Sequence, residues 1–381
     1  MRRFIWAILT LLVFLVTAQF LLKDKINLFS EIRDRIFGRS TSQKIAHIVK
    51  VNEKTPPHFV QNSMVGAWMN NVDKNKIMIE VYKTGKRGKA DRRLDFYKPI
   101  DLAADSNGSA FVLDHSYGRI IEITPQGNFK RFIYLRQDSE SPFQYPHVLT
   151  FANNRFYVVD ETQTVFILDY SGKEIRRFKT NYDIYDLAVD RAGFIYVLTP
   201  ADSFRLHKFT AKGIETLAFS PQEEKEDELW KIFARGRIAI GPDNSVYYSL
   251  EYPYKIYKYS PHGKPLLGFS RDMGIVITPP TIYRQKGKII SVNRQQYSYD
   301  IKIASNNIVM NLIKTRGSHG GDAIDLFSDK GQYLQSLYLA RNYRHLALVD
   351  SNDIILQLPR PTNTVERYKI EKMRMARNIH F

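Results

Sequence analysis

The sequence predicts an all-β fold, a β-propeller of six blades, on three observations. A block of residues recurs with one grammar, its closing glycines fall at the period of a four-stranded blade, and no long helical pattern interrupts residues 101–363. The first block reads Asp101-Leu-Ala-Ala-Asp105-Ser-Asn-Gly108, then Phe111-Val-Leu-Asp114, then a third apolar run closing on Gly127. Each block is an alternating run, a polar turn, a second run ending near Asp or Thr, a third run and a glycine turn. Period-2 alternation over four to six residues marks half-buried strands, and the Asp/Asn/Gly/Ser clusters supply tight antiparallel connections.

The second block comprises residues 148–151, Tyr157-Val-Val-Asp160 and a run to Gly172; the third, residues 187–193, Ile195-Tyr-Val-Leu-Thr199 and a run to Gly213. The fourth comprises residues 238–244, Val246-Tyr-Tyr-Ser249 and a run to Gly263. Gly127, Gly172, Gly213 and Gly263 are spaced about 40–50 residues apart, the period of radially repeated sheets. The gaps between runs are turn-sized, too short for the crossover helices of a parallel sheet. In the fifth block, residues 281–284 and 287–292 read as the first two strands, residues 299–321 as an inserted hairpin or lid, and residues 323–331 as the completion. The sixth, residues 346–353, 354–357 and 365–370, lacks a fourth strand. An unpaired edge would expose a row of backbone donors and acceptors, so the alternating stretch 76–82 is expected to close the ring.

Residues 4–22 are apolar except for Thr10, Thr17 and Gln19, and follow Arg2 and Arg3. About 20 apolar residues span a bilayer core. A single-pass anchor is preferred to cleavage after Val16-Thr17-Ala18, because apolar character continues through Phe20-Leu-Leu22. Either reading delivers the repeats to an extracytoplasmic side, periplasmic or extracellular. The expected organisation is an anchor at 1–22, a stalk and linker at 23–75, and the propeller at 76–381.

The chain has 381 residues, no cysteine, 44% hydrophobic residues and a formal net charge of +17. No disulfide or thiolate chemistry is available, so a large apolar core must hold the ring. The positive charge gathers in residues 83–93 and 369–377. Beside an anchor such patches suit anionic lipid or envelope polymer. Nucleic acid is disfavoured, since the 23 Tyr and 23 Phe fall mostly at strand positions that a core explains.

The blade pattern resembles the NHL repeat, which reads Pro-x-Gly-Ile-Ala-Val-Asp, a glycine turn, Ile-Tyr-Val-x-Asp, and a third strand ending in Asp-x-x-Gly. Pro99-Ile-Asp-Leu-Ala-Ala-Asp105 with Phe111-Val-Leu-Asp114, and Tyr157-Val-Val-Asp160 with Gly172, carry the resemblance, which covers about residues 97–370. It implies a six-bladed propeller and no single activity. NHL-like propellers include ubiquitin-ligase and RNA-binding modules, and related six-bladed folds include amidating lyases, gluconolactonase-like esterases and strictosidine-synthase-like enzymes.

Superposing Leu102-Ala103, Leu187-Ala188, Ile238-Ala239 and Leu346-Ala347 places Asp101, Asp186, Arg237 and His345 at one level, where the innermost strands begin and line the channel. His147 joins them, with its register open by one residue, and Thr281 is the fifth blade's member. Such groups can converge on one ligand although they are distant in sequence. His147, His345, Asp101 and Asp186 could ligate a divalent Zn or Ca, with Arg237 holding an anionic substrate. Pro146-His147 resembles the Pro-His strand start that supplies metal ligands in amidating-lyase propellers, an implication confined to His147. The bland alternative is that the aspartates cap strand ends and the histidines fill a wet channel. His115 and His262 are expected in exposed turns, and His319 in a glycine-rich loop. No Gly-x-Ser-x-Gly elbow or His-Glu-x-x-His helix is present. The expected function is a membrane-tethered scaffold that binds a peptide, glycan or partner protein, with a metal-assisted lyase or hydrolase as the alternative.

Overall fold

Alternation becomes six four-stranded antiparallel sheets in the computed structural model, which describes residues 48–53, 56–62, 78–85, 91–135, 143–200, 202–221, 234–273, 281–293, 295–315, 322–339, 341–358 and 363–370. All of these belong to the unit Ile48–Phe381. Blade 1 runs Pro99–Ala104, Ala110–Asp114, Arg119–Ile123 and Phe129–Tyr134, from the axis outward; blade 2 runs Pro146–Ala152, Arg155–Asp160, Thr164–Asp169 and Glu174–Lys179. Blade 3 is Asp186–Val189, Ile195–Leu198, Phe204–Phe209 and Glu215–Pro221, and blade 4 is Gly236–Ile240, Val246–Leu250, Lys255–Tyr259 and Pro265–Arg271. Blade 5 is Ser298–Ile303, Val309–Lys314, Asp322–Phe327 and Tyr333–Tyr338. Blade 6 takes His345–Asp350, Asp353–Leu358 and Thr364–Ile370 from the end of the chain and its outermost strand, Met78–Thr84, from before blade 1.

Both faces of every sheet are buried, because each blade lies between two others. The apolar residues sort by parity into six clusters, each drawn from two adjacent blades. Phe111 and Leu113 pack toward Phe156 and Val158 of blade 2. Their neighbours Ala110 and Val112 pack toward Ala347 and Ile355 of blade 6. A one-residue slip of register would exchange these faces, so the interfaces fix the register of every strand.

The closing glycines of the repeat have a packing reason. Gly127, Gly172, Gly213, Gly263 and Gly331 all have φ between 76° and 95°. Each also abuts the outer strand of the preceding blade: a Cβ on Gly213 would come within 2.5 Å of Phe178, and one on Gly263 within 2.8 Å of Phe219. Left-handed backbone and neighbour contact together exclude other residues.

The fifth block departs from the sequence expectation. Residues 299–321 are not an insertion; they contribute the first two strands of blade 5. The inserted element is the hairpin of Thr281–Gln285 and Lys288–Asn293, a two-stranded sheet of its own. The linker is also more ordered in part than its weak pattern suggests. Val49–Lys50 and Phe59–Asn62 run parallel to the outermost strands of blades 3 and 4. Asn62 donates to the carbonyls of Ser270 and Gly331 and accepts from Tyr333 N, tying blade 4 to blade 5. The anchor at residues 1–22, the stalk to residue 47, residues 63–77 and much of the two basic stretches lie outside the described residues. Among the described residues no helix is long and apolar enough to cross a membrane.

At the seam, Arg367 of blade 6 donates to both Asp353 oxygens, at 2.8 and 2.6 Å, and reaches the carbonyls of Gly108 and Pro125 in the turns of blade 1. Removing one member of a buried pair strands the other. Arg367→Met is therefore expected to cost about 3–5 kcal/mol, read as a lower urea midpoint with an unchanged slope.

Candidate functional site at the channel mouth

The innermost strands point the same way along the axis, so one face of the ring carries all their starting residues. The connections that enter these strands, and those joining second to third strands, also lie there. Asp101, Asp186 and Asp300 begin the inner strands of blades 1, 3 and 5. One oxygen of each accepts a backbone N–H from the next blade's inner strand: Leu149 N at 2.7 Å, Ile238 N at 2.7 Å and Leu346 N at 2.9 Å. The second oxygen of Asp101 and of Asp300 accepts from the N–H of the following residue.

These bridges define the equivalent level in the other blades, which is Val148, Arg237 and His345. Arg237 Nη1 lies 3.2 Å from Asp186, His345 Nδ1 lies 3.3 Å from Asp101, and Lys302 Nζ lies 2.6 Å from Asp300. Burial alone would raise the Asp101 carboxyl, but adjacent His345, the Arg237 charge and the Leu149 N–H hold it at about 2. Burial opposes protonation of Arg237, yet the carboxylates of Asp186, Asp101 and Asp300 push its pKa up. Asp186 is itself raised by burial despite Arg237. Arg237 thus feels three carboxylates from three blades, which places them around one channel mouth.

Of the sequence-derived set, Asp101, Asp186, Arg237 and His345 come together. Thr281 does not: it starts the inserted hairpin and is exposed, and Asp300 holds its place. His147 is one residue off the level, at the bulge between Pro146 and Val148, with Nε2 3.0 Å from the carbonyl oxygen of Ile184. His147, His345, Asp101 and Asp186 therefore do not assemble as a ligand set, and among the described residues no three His, Asp or Glu side chains are placed to hold a metal. His262 is exposed. His115 is half-buried, its Nδ1 3.0 Å from the Pro146 carbonyl oxygen and its ring stacked on Tyr145. His319 lies outside the described residues.

The two faces of the ring differ. On the far face, the first-to-second strand turns, and the third-to-fourth strand turns of blades 1–5, are short and tight. On the mouth face, the connections between Leu135 and Phe143, Pro221 and Ala234, Arg271 and Ser298, Lys314 and Asp322, and Leu358 and Asn363 are longer, and the hairpin Thr281–Asn293 belongs to one of them. Tyr97, Tyr117, Tyr145, Tyr283 and Ile290 on this face are each 46–61% exposed. Carboxylates at strand ends hold parts of these connections: Asp114 accepts from Lys98 N at 2.8 Å, Asp160 from Gln144 N at 2.8 Å, and Asp322 from Tyr343 N at 2.7 Å. Of the basic patches, Lys83 pairs with buried Glu366, and Arg93 pairs with Asp91 and lies over Phe129.

No known protein family and no curated protein matches the chain. Solved structures do. A putative exported protein from Bacteroides fragilis is similar over 82% of this chain and 100% of its own, at 9% identity and a TM-score of 0.54. A protein of unknown function from Bacteroides thetaiotaomicron is similar over 77% of this chain and 76% of its own, at 12% identity and a TM-score of 0.52. Virginiamycin B lyase from Staphylococcus aureus covers 77% of this chain at 10% identity, with a TM-score of 0.47, too low to carry an argument. Identities of this order show the fold alone: an all-β, six-bladed propeller. The NHL resemblance extends no further than the repeat pattern.

The Asp101 shift has a sign that can be measured. Its folded pKa of about 2 lies below the unfolded value near 3.9. The stability it contributes is fully present above about pH 4 and is lost as pH falls toward 2. Asp101→Asn should therefore show a stability deficit, by urea unfolding, that shrinks across that window. Asp322 runs the other way. Burial pushes it up to about 7 against the Tyr343 N–H and the Lys314 charge, so its ionisation lowers stability as pH rises from about 4 to 7, and Asp322→Asn should flatten that slope.

Proposed function

We propose that this chain is a membrane-tethered, extracytoplasmic propeller whose mouth face binds a peptide, glycan or partner protein. The observation that carries the reading is the asymmetry of the ring. Longer connections, the base of the inserted hairpin and exposed tyrosines gather on the face that holds the polar ring, while tight glycine turns close blades 1–5 on the other. Binding residues concentrate on loops held by a rigid scaffold. The ring favours binding over catalysis, because each of its carboxylates is committed to a backbone N–H of the neighbouring blade. The tether rests on the sequence, where Arg2 and Arg3 precede an apolar stretch of membrane-spanning length.

Two measurements on the full chain test this. Photo-crosslinking residues at Tyr145, Tyr283 and Ile290, on the mouth face, should each yield adducts in native membranes, whereas Lys212, Ile214 and His262, on the far face, should not. Adducts from the far-face set alone, or equally from both, would contradict the reading. Deleting residues 1–22 should move the protein from the membrane pellet to the soluble fraction.

A further inference from the structure

Beside the ring, on the mouth face, a cavity of about 330 Å³ opens between the base of the hairpin and blades 5 and 6, lined by Asn293, Gln295, Gln296, Tyr297, Lys314 and Arg344, with Tyr299 on its wall. Its size is in the range of small-ligand sites. Segment 295–297 forms one side and is fixed at Tyr297, whose N–H donates to Glu251 O at the end of a blade 4 strand and whose carbonyl accepts from Lys314 N of blade 5. The Gln296 side chain donates to Ser298 O, and Tyr297 donates its hydroxyl to Gln295. Backbone bonds to blades 4 and 5 therefore fix this wall of the cleft.

The lining has a definite chemistry. Lys314 and Arg344 are exposed, and among the described residues neither lies within ion-pair distance of a carboxylate. Two cations left unpaired on one cavity suit an anionic group. The Asp322 carboxyl, close enough to feel the Lys314 charge, is buried, with Oδ1 lacking a hydrogen-bond partner. Burial pushes that carboxyl up to about 7, so near neutral pH it is partly uncharged and repels an anion weakly. The same burial, with the charge of Asp322, pushes Tyr299 up to about 12, so its hydroxyl stays protonated as a donor. Asn293, and the amide oxygen of Gln296 with the N–H that Ser298 does not take, offer groups that donate and accept side by side, as vicinal hydroxyls do. The Tyr297 ring is buried in the core between blades 4 and 5, stacked at 6.1 Å on Tyr252, and anchors the floor of the cleft.

We infer that this cleft binds a saccharide bearing an acidic group, a uronate, sialate or sulfated sugar, with Lys314 and Arg344 on the acid and the amides on hydroxyls. The inference rests on the mouth face being the binding face and names the ligand class it takes.

The test uses the full chain in detergent on a glycan array that pairs each uronate-, sialate- or sulfate-bearing saccharide with its neutral counterpart, with polyglutamate as an acidic peptide control. Acidic saccharides should bind at least tenfold more tightly than their neutral counterparts and than polyglutamate, and less tightly as salt rises. Both cations are exposed, so Lys314→Gln with Arg344→Gln should leave the melting temperature unchanged and weaken binding at least tenfold. Gln296→Ala should weaken acidic and neutral members alike. Binding of no acidic saccharide, equal binding of the neutral forms or of polyglutamate, or binding untouched by the double variant would overturn the inference. Crosslinks confined to the mouth face in that case would leave the scaffold reading standing without its ligand class.

Discussion

Three carboxylates hold the centre of this ring. Asp101, Asp186 and Asp300 sit on alternate blades, and each reaches across to a backbone N–H of the next inner strand. Sheet hydrogen bonds stop at the edge of a blade, and apolar packing between blades is non-directional, so it fixes separation better than axial height. A buried charge-assisted bond is directional, and losing it leaves an ion without a partner. The three bridges therefore set the relative height of the blades in pairs. Arg237 and Lys302 offset the charge concentrated there.

The same device explains why the mouth residues look like a catalytic site and are arranged as a structural one. His345, Asp101, Asp186 and Arg237 do come together, while His147 stands off their level. Each aspartate oxygen facing the next blade is nevertheless already bonded to that blade's backbone. What the arrangement provides is a rigid rim. Longer connections can vary around it without disturbing the interfaces, and the hairpin Thr281–Asn293 and the polar cleft beside it are built in that freedom. The far face has no such freedom, since glycines such as Gly213 and Gly263 touch the neighbouring blade.

Fold class and blade count were legible because a propeller repeats one local problem. Every blade needs alternating apolar strands, an Asp/Asn/Gly turn and a closing glycine, so the signal accumulates around the ring. The closing strand was legible for a related reason: a blade with three strands near its end requires a fourth from elsewhere. Blade 5 was misread because the hairpin at 281–293 alternates as well as any blade strand, and period alone does not say which alternating segment reaches the axis. A better signal was present. Asp300-Ile-Lys-Ile-Ala-Ser-Asn-Asn307 repeats the form of Asp101-Leu-Ala-Ala-Asp105-Ser-Asn-Gly108 and carries the bridging aspartate. The register of His147, open by one residue in the sequence, could not be closed there because Val148 stands where blades 1, 3 and 5 carry an aspartate; His147 takes the bulge position of Ile100 and Tyr299. The cleft could not be read at all, since Asn293, Lys314 and Arg344 meet only through the path of three separate connections.

Hydrogen exchange of the amides that receive the three carboxylates tests the central constraint most directly. If the bridges lock the inner strands together, Leu149, Ile238 and Leu346 N–H exchange only through global unfolding, with one common free energy that falls for all three in Asp186→Asn. Separate exchange of the three through local openings, or an Asp186→Asn effect confined to Ile238, would show that the blades are held by their apolar interfaces alone and would contradict the account.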